Sequence, residues 1–136
     1  MRYLIDTNVF INIVEDDYIS KDVRNILTDY ENIIYISSES IKEFIHLLQN
    51  EKIKLPKGKI IFDIFSFIEN ELGYNIKYIT KEHLRTFAKL QKVENHNDPS
   101  DRLIIAQAIT EKIPLISNDK KFPTYKKQGL EFIPNF

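Results

Sequence analysis

Short runs of apolar residues along the chain alternate with stretches in which apolar residues recur every three or four positions. Such runs are typical of buried β-strands, and such stretches are typical of amphipathic helices. The predicted strands are 2–5, 33–36, 76–79, 114–117 and 130–133. Because strand and helix alternate, we predict a three-layer α/β domain in which helices flank a short, mainly parallel sheet.

The helical stretches are bounded by residues that favour helix ends. Ser20 and Thr80 are suitable N-caps, Pro99 suits a first helical turn, and Gly73 suits a C-terminus. The predicted helices are a short one that ends in the acidic turn 15–17, one from Ser20 to Tyr30, one that includes 41–48, and three at 60–72, 81–92 and 100–112. The 81–92 helix is expected to bury its apolar residues, which are Leu84, Phe87, Ala88 and Leu90.

The composition is typical of a compact cytoplasmic protein. The 136 residues are 43% hydrophobic with three glycines and five prolines, which argues against disorder and predicts one domain over residues 1–136. The absence of cysteine excludes disulfides and thiolate metal sites. We find no signal peptide and no apolar run long enough to span a bilayer, so a cytoplasmic protein without a membrane partner is expected.

The charge balance permits a nucleic-acid partner without predicting one. The formal net charge is -1, whereas nucleic-acid-binding domains are commonly strongly basic. Lysines are concentrated in the segments 52–59 and 120–127. Either segment could contact phosphates or simply face solvent, so these lysines are weak evidence for RNA binding.

Four carboxylates lie close to the ends of predicted strands. Asp6 follows the first strand, Glu43 lies in the helix after the second, Asp101 begins the 100–112 helix, and Asp119 follows the 114–117 strand. Ligands of parallel α/β sheets bind at the carboxyl ends of the strands, so all four are candidates for chemistry. Converging carboxylates would repel each other, and Mg²⁺ or Mn²⁺, which prefer oxygen ligands, would relieve that repulsion. Such ions can also promote displacement at a phosphodiester.

Each acid also has a purely structural interpretation that the sequence leaves open. Asp6 could cap the helix that follows it, and Glu43 could close a capping box with Ser40. Asp101 could likewise stand at the third position of a capping box in which Asp98 caps the 100–112 helix, and Asp119 belongs to an ordinary turn signal. Taken singly, these interpretations are favoured over chemistry; taken together, the four acids favour a metal site.

Four segments combine these acids with characteristic neighbours. The segments are 4–8 (LIDTN), 37–43 (SSESIKE), 96–108 (HNDPSDRLIIAQA) and 115–119 (LISND). They resemble the four blocks of PIN-domain ribonucleases, and most closely those of the VapC-type toxins of prokaryotic toxin–antitoxin pairs. The blocks occur in the family's order and at its spacing, so the resemblance extends over nearly the whole chain.

The resemblance implies a PIN-like fold and a metal-dependent endoribonuclease that hydrolyses RNA with a metal-activated water. It implies Mg²⁺ or Mn²⁺ as cofactor, held by the acids Asp6, Glu43, Asp101 and Asp119. It assigns supporting roles to Thr7, Asn8 and Asp98. It also implies a homodimer, an RNA substrate for which tRNA is one candidate, and a cognate antitoxin that covers the acidic groove.

Two features of the late block affect how the family's residues are carried over. Ser100 stands where the family often has an aromatic residue. Asp98 and Asp101 compete for the position of the third acid. We favour Asp101, because it heads the apolar stripe of the 100–112 helix that should face inward, and this leaves Asp98 as the N-cap.

Three further residues are candidates with weaker support. His96 matches the histidine of the family's motif, although a lone histidine in a loop more often forms a structural hydrogen bond than binds a metal. Arg102 and Lys120 are candidate phosphate contacts. Arg102 could equally pair with an acid, and the sequence does not decide between these roles.

Other functions remain as alternatives. The chain could be a non-catalytic binding module with a PIN fold, although acids at all four positions argue against loss of activity. It could also be a housekeeping RNA-processing nuclease. A phosphatase with Asp6 as nucleophile is disfavoured, because such enzymes usually have a second aspartate two residues later, where this chain has Asn8.

Overall fold

A computed structural model describes residues 1–93 and 95–136 of the protein. Glu94, the first residue of the polar stretch 94–98 that precedes the 100–112 helix, lies outside the described residues. Among the described residues, no helix is both long and apolar enough to cross a membrane.

Within the described residues, five strands form a sheet in the order β3-β2-β1-β4-β5. The strands are β1 (Arg2–Ile5), β2 (Ile33–Ser37), β3 (Asn75–Lys77), β4 (Leu115–Ser117) and β5 (Phe132–Pro134). All neighbouring pairs are parallel, so the predicted α/β sheet is confirmed and is parallel throughout.

Helices lie on both sides of this sheet and connect its strands. They are α1 (Thr7–Glu15), α2 (Lys21–Thr28), α3 (Ser38–Gln49), α4 (Ile64–Ser66), α5 (Lys81–Lys89) and α6 (Pro99–Glu111). A π-helical turn over Phe67–Glu71 continues α4, and a 3₁₀ helix over Phe122–Gln128 follows β4. Ser20, Thr80 and Asp98 cap α2, α5 and α6, as their sequences predict.

The prediction of one helix over 60–72 is wrong for its first four residues and for the helix type of its later part. Asp63 caps the segment by accepting a hydrogen bond from the Phe65 amide, so the helix begins only at Ile64. The Leu72 amide then donates to Phe67 O, five residues earlier, which is the π-helical pattern. Apolar residues at helical spacing suggested a longer helix, but Phe62 is 93% exposed and does not pack on the sheet.

The two faces of the sheet support separate apolar clusters. Ile5 and Ile36 pack on one face with Phe10 and Phe44, from α1 and α3. Leu4 and Leu115 pack on the other face with residues of α6 and of the 3₁₀ helix. Because successive side chains of a strand point to opposite faces, these clusters give the three layers expected from the sequence.

Helix α5 packs differently from the prediction. Leu84 is half-exposed and Ala88 is exposed, whereas Leu90 lies just beyond the helix end and is buried as expected. The residue of α5 that is buried instead is His83, at 1% exposure. The pattern of apolar residues does not predict this burial. Whether a histidine is buried depends on hydrogen-bond partners for its ring nitrogens, and the pattern does not show them.

Those partners join α5 to α6. His83 Nδ1 accepts the Thr80 amide proton at 3.0 Å, so Nε2 carries the ring proton and donates to Glu111 at 2.8 Å. Lys77 Nζ lies 3.1 Å from the same carboxylate. The hydrogen bond from His83 and the charge of Lys77 lower the pKa of Glu111.

Replacing Glu111 with glutamine should therefore destabilise the protein by about 1 kcal/mol at pH 7, since a charge-assisted hydrogen bond to a buried histidine is weakened. A lowered carboxyl pKa stabilises the fold above the ordinary glutamate pKa, and this contribution is lost as the pH falls through the lowered value. The difference between the two proteins should thus vanish in acid. Urea unfolding measures it, with the exposed Glu82→Gln as control; equal effects of the two changes would contradict the prediction.

Candidate active site

The sheet has a topological switch point between β1 and β4. The chain leaves β1 toward β2 and β3 on one side, and it returns from β3 to β4 on the other side of β1. Loops diverge at such a point, which leaves a crevice at the carboxyl ends of the strands. Asp6 and Asp119 follow these two strands, so the fold places both carboxylates at this crevice.

Asp6 is buried at 3% exposure and is held from two sides. Its Oδ1 accepts the Val9 amide proton at 2.9 Å and so caps α1, while its Oδ2 accepts the Ser117 hydroxyl proton at 2.5 Å. Burial raises the pKa of Asp6 to about 6, because desolvation outweighs these hydrogen bonds and the charges of Asp119 and Glu43 add to it. The capping role and a role in the site are therefore compatible.

Glu43 does not form the capping box that its spacing from Ser40 suggests. The N-cap of α3 is Ser37, which places Ser40 inside the helix. Glu43 Oε1 instead accepts a hydrogen bond from Thr7 Oγ1 at 2.6 Å, and Ser40 Oγ lies 2.9 Å from the same hydroxyl. Partial burial raises the pKa of Glu43, and the charge of Glu43 in turn contributes to the raised pKa values of Asp6 and Asp101.

The two aspartates of the late block take different positions. Asp98 is exposed, and its Oδ1 accepts the amide protons of Ser100 and Asp101 as the N-cap of α6. Asp101 lies one turn further, with its side chain 24% exposed. Burial raises the pKa of Asp101 to about 7, and the charges of Asp98, Glu43, Asp6 and Asp119 contribute in that order. Asp98 is thus the N-cap of α6, as predicted, and the role of Asp101 as the third acid stays a prediction.

Asp101 also lies beside Asp119 and His96. Among the described residues, these three form a group whose potential metal-ligating atoms all lie within 4.8 Å of one another. Asp6 and Glu43 are outside that group, but their charges contribute to the raised pKa of Asp101, and the charge of Asp119 contributes to the raised pKa of Asp6. The candidate site thus has one compact cluster and two further acids next to it.

The donor set fits a hard or borderline divalent cation. Several carboxyl groups with raised pKa values share a small, poorly solvated space, and each would be stabilised in its charged form by a cation. The buried nitrogen His96 Nε2, which lies beside the acids, makes no hydrogen bond with any described residue. Carboxylate oxygens with an imidazole nitrogen are ligands of Mn²⁺ and related ions, and the carboxylates alone suit Mg²⁺.

The structure also places the weaker candidates. Thr7 is buried against Glu43, whereas Asn8 is exposed. The Arg102 guanidinium lies 5.2 Å from the Phe87 ring centroid, on the side of α5. Lys120 is exposed, with Nζ 5.4 Å from the Phe136 ring centroid. The substrate-binding roles of the last two stay predictions.

Sequence reasoning missed three residues that shape the site. Ser117 bonds to Asp6, Ser40 adjoins Thr7, and Tyr125 bonds to His96. Ser117 and Ser40 lie inside the segments that carry the family resemblance, so their position was a usable signal. Tyr125 lies in a 3₁₀ helix that no periodicity indicates, and only the fold brings it to His96.

Comparison with known proteins supports the resemblance. Residues 3–128 match the family model of the PIN domain. Similar solved structures include VapBC2 from Rickettsia felis bound to a DNA fragment from its promoter, with 20% identity and a TM-score of 0.67 over 98% of both chains. VapBC-1 from nontypeable Haemophilus influenzae (18%, 0.63) and VapBC-5 from Mycobacterium tuberculosis (16%, 0.61) match over the same fractions.

At these identities the structural matches show a shared fold. No curated protein matches the sequence. The family model, however, spans most of the chain, from the residue before Leu4 to the last residue of the 3₁₀ helix. The protein therefore belongs to the PIN-domain family.

Proposed function

We propose that the protein is a metal-dependent endoribonuclease and the toxin of a toxin–antitoxin pair. The observation that carries the proposal is the convergence of Asp6, Glu43, Asp101 and Asp119 at one switch point, where burial and mutual repulsion raise the pKa values of the first three. A buried acidic crevice of this kind is unfavourable unless cations occupy it. PIN domains are nucleases as a family, which makes phosphodiester hydrolysis the fitting reaction.

The residues of the crevice have different proposed roles. Asp101 and Asp119, with Asp6 and Glu43 beside them, would hold Mg²⁺ or Mn²⁺, which supplies Lewis acidity for attack on a phosphodiester. Ser117 fixes the Asp6 carboxylate, and Thr7 fixes that of Glu43, through short hydrogen bonds. Asp98 holds the start of α6 and thereby the position of Asp101. These contacts preorganise the acids before substrate arrives.

The proposed partners follow from the family and from the solved structures. An RNA substrate, with tRNA as one candidate, would cross the acidic crevice in the cytoplasm. The similar structure from Mycobacterium tuberculosis is a member of the VapBC family of toxin–antitoxin systems by its description, and the structure from Rickettsia felis has the same VapBC name. By extension, we propose that a cognate antitoxin covers the crevice of this protein. We also propose that the protein acts as a homodimer.

The test is cleavage of a mixed pool of tRNA and messenger RNA by the purified protein, with Mg²⁺, Mn²⁺ or EDTA. We expect cuts at a few discrete sites that require the metal and that disappear in Asp6→Asn. The exposed Asp16→Asn, the same chemical change at a remote helix end, should cut as the wild type does. If no metal-dependent cuts appear, or Asp6→Asn cuts equally well, the nuclease proposal fails and a non-catalytic binding module becomes the better interpretation.

A further inference from the structure

His96 is held rigidly in the loop that precedes α6. Only 4% of the residue is exposed. Its ring packs edge-on against Phe122 and Tyr125, with centroid distances of 5.6 Å and 5.3 Å. Its Nδ1 lies 2.7 Å from the Tyr125 hydroxyl oxygen, which fixes the direction of the ring. The other ring nitrogen therefore has a defined orientation.

That nitrogen points toward the acids. His96 Nε2 lies 3.4 Å from Asp101 Oδ2 but forms no hydrogen bond with any residue that the structure describes. The potential ligand atoms of His96, Asp101 and Asp119 are mutually within 4.8 Å. Ligands of an octahedral ion at about 2.1 Å are about 3 Å apart when adjacent and about 4 Å apart when opposite, so little movement is needed to bind one.

Structural contacts account for only part of this arrangement, because the 3.4 Å separation of Nε2 from Asp101 Oδ2 is long for a hydrogen bond. The hydrogen bond to Tyr125 uses only Nδ1, and the aromatic contacts use only the faces and edges of the rings. Leaving a buried polar atom without a partner costs free energy, which a bound ligand would offset. Tyr125 can also support metal binding by His96. When the lone pair of Nε2 binds a metal ion, Nδ1 carries the ring proton, and the Tyr125 oxygen can accept a hydrogen bond from it.

We propose that His96 Nε2 is a metal ligand that acts with Asp101 and Asp119, and that this nitrogen makes the site prefer Mn²⁺ or a similar borderline cation over Mg²⁺. The inference depends on the proposed function only for the presence of a divalent cation. Imidazole suits transition metals, whereas Mg²⁺ favours oxygen ligands and retains its waters. Asp6 and Glu43 lie outside the cluster that contains His96, so they would supply only oxygen ligands on their side of the site.

The test is to add Mn²⁺ alone to the purified full chain. Calorimetry measures the Mn²⁺ affinity, and electron spin-echo envelope modulation (ESEEM) spectroscopy identifies nitrogen ligands of the bound ion. The wild type should show modulation from a directly bound imidazole nitrogen. In His96→Gln this modulation should disappear, and Mn²⁺ affinity should fall about 10-fold or more while Mg²⁺ affinity changes much less. The control is His46→Gln, because His46 is exposed on α3 and should leave both readouts unchanged.

A second variant keeps the test decisive if His96→Gln does not fold. Tyr125→Phe retains the ring packing and removes the Nδ1 partner, so Mn²⁺ affinity should fall while the imidazole signal persists. Bound Mn²⁺ without an imidazole signal in the wild type overturns the inference, as does a signal that survives in His96→Gln or an equal loss of Mg²⁺ affinity. RNA cleavage in Mg²⁺ is scored separately: cleavage without the signal refutes only this inference, and the signal without cleavage refutes only the nuclease proposal.

Discussion

Replacing Asp101 with asparagine should abolish RNA cleavage and, in the absence of divalent cations, make the protein more stable. Asparagine has nearly the same shape as aspartate but carries no charge. Asp101 belongs to the compact cluster with His96 and Asp119, and the charges of the neighbouring acids Asp6 and Glu43 also act on it. Loss of its charge should weaken cation binding and reduce the cleavage rate by about 10³-fold or more, which corresponds to several kcal/mol of transition-state stabilisation.

The expected gain in stability has the opposite cause. Burial and four nearby acids raise the pKa of Asp101 to about 7, so keeping this group charged above that pH costs free energy in the metal-free fold. The neutral amide avoids this cost, and the gain at pH 8 should be roughly 2 kcal/mol once solvent screening of a partly exposed side chain is allowed for. The amide group that replaces the carboxylate can also donate hydrogen bonds to the neighbouring acids.

Paired measurements test both halves of this prediction. Single-turnover cleavage and urea unfolding in EDTA are compared for the wild type, Asp101→Asn and the remote Asp16→Asn. We expect only the Asp101 change to lower the rate, and we expect it to raise the unfolding midpoint far more than the Asp16 change, which removes a negative charge from a helix C-terminus. A variant that loses both activity and stability would indicate a structural role for Asp101, and a variant that retains activity would remove Asp101 from the proposed mechanism.

The positions of Asp6, Asp119 and Asp101 could be predicted because local signals determine them. Asp6 and Asp119 each terminate a short apolar run, and parallel strands bring their carboxyl ends to one edge. The Asp98-Pro99 pair marks the start of α6, which sets Asp101 one turn inside it. These inferences need only strand ends, a cap and the rule for parallel sheets.

The partners of Glu43 and His96 could not be predicted in this way. The spacing of Ser40 and Glu43 suggested a capping box, whereas α3 is capped by Ser37 and Glu43 bonds to Thr7 at the start of α1. His96 depends on Tyr125, which is 29 residues away and lies in a 3₁₀ helix without a periodic pattern. Both cases are contacts between distant segments, and a single sequence contains no record of them.

The metal-free protein should lose stability as the pH rises from about 4 to about 7. Asp6 and Asp101 have pKa values raised from 3.8 to about 6 and about 7 in the fold. In this window the unfolded chain has released these protons while the fold still binds them, so the free energy of unfolding falls with pH. The pKa difference of Asp6 alone corresponds to roughly 3 kcal/mol, or a decrease in Tm of roughly 10 °C.

Other groups act against this trend and must be separated from it. Burial lowers the pKa of His96, so its contribution to stability increases as the pH rises through the ordinary histidine range. Glu111 also gains stability with pH, but in a more acidic range. The decisive quantity is therefore the difference in Tm between the wild type and Asp101→Asn in EDTA, which should be small near pH 4 and largest above pH 7.

Saturating Mn²⁺ should reverse the effect, because a cation that binds the charged acids stabilises the fold and competes with their protons. The increase in Tm on adding Mn²⁺ should therefore be larger at pH 7.5 than at pH 5, and it should be much reduced in Asp101→Asn. A Tm that is independent of pH in EDTA would mean that the acids are better solvated than their burial indicates. An equal increase in Tm at both pH values would mean that the cation binds outside this crevice. Binding strengthens with pH only when the ligands themselves must lose protons to bind the cation.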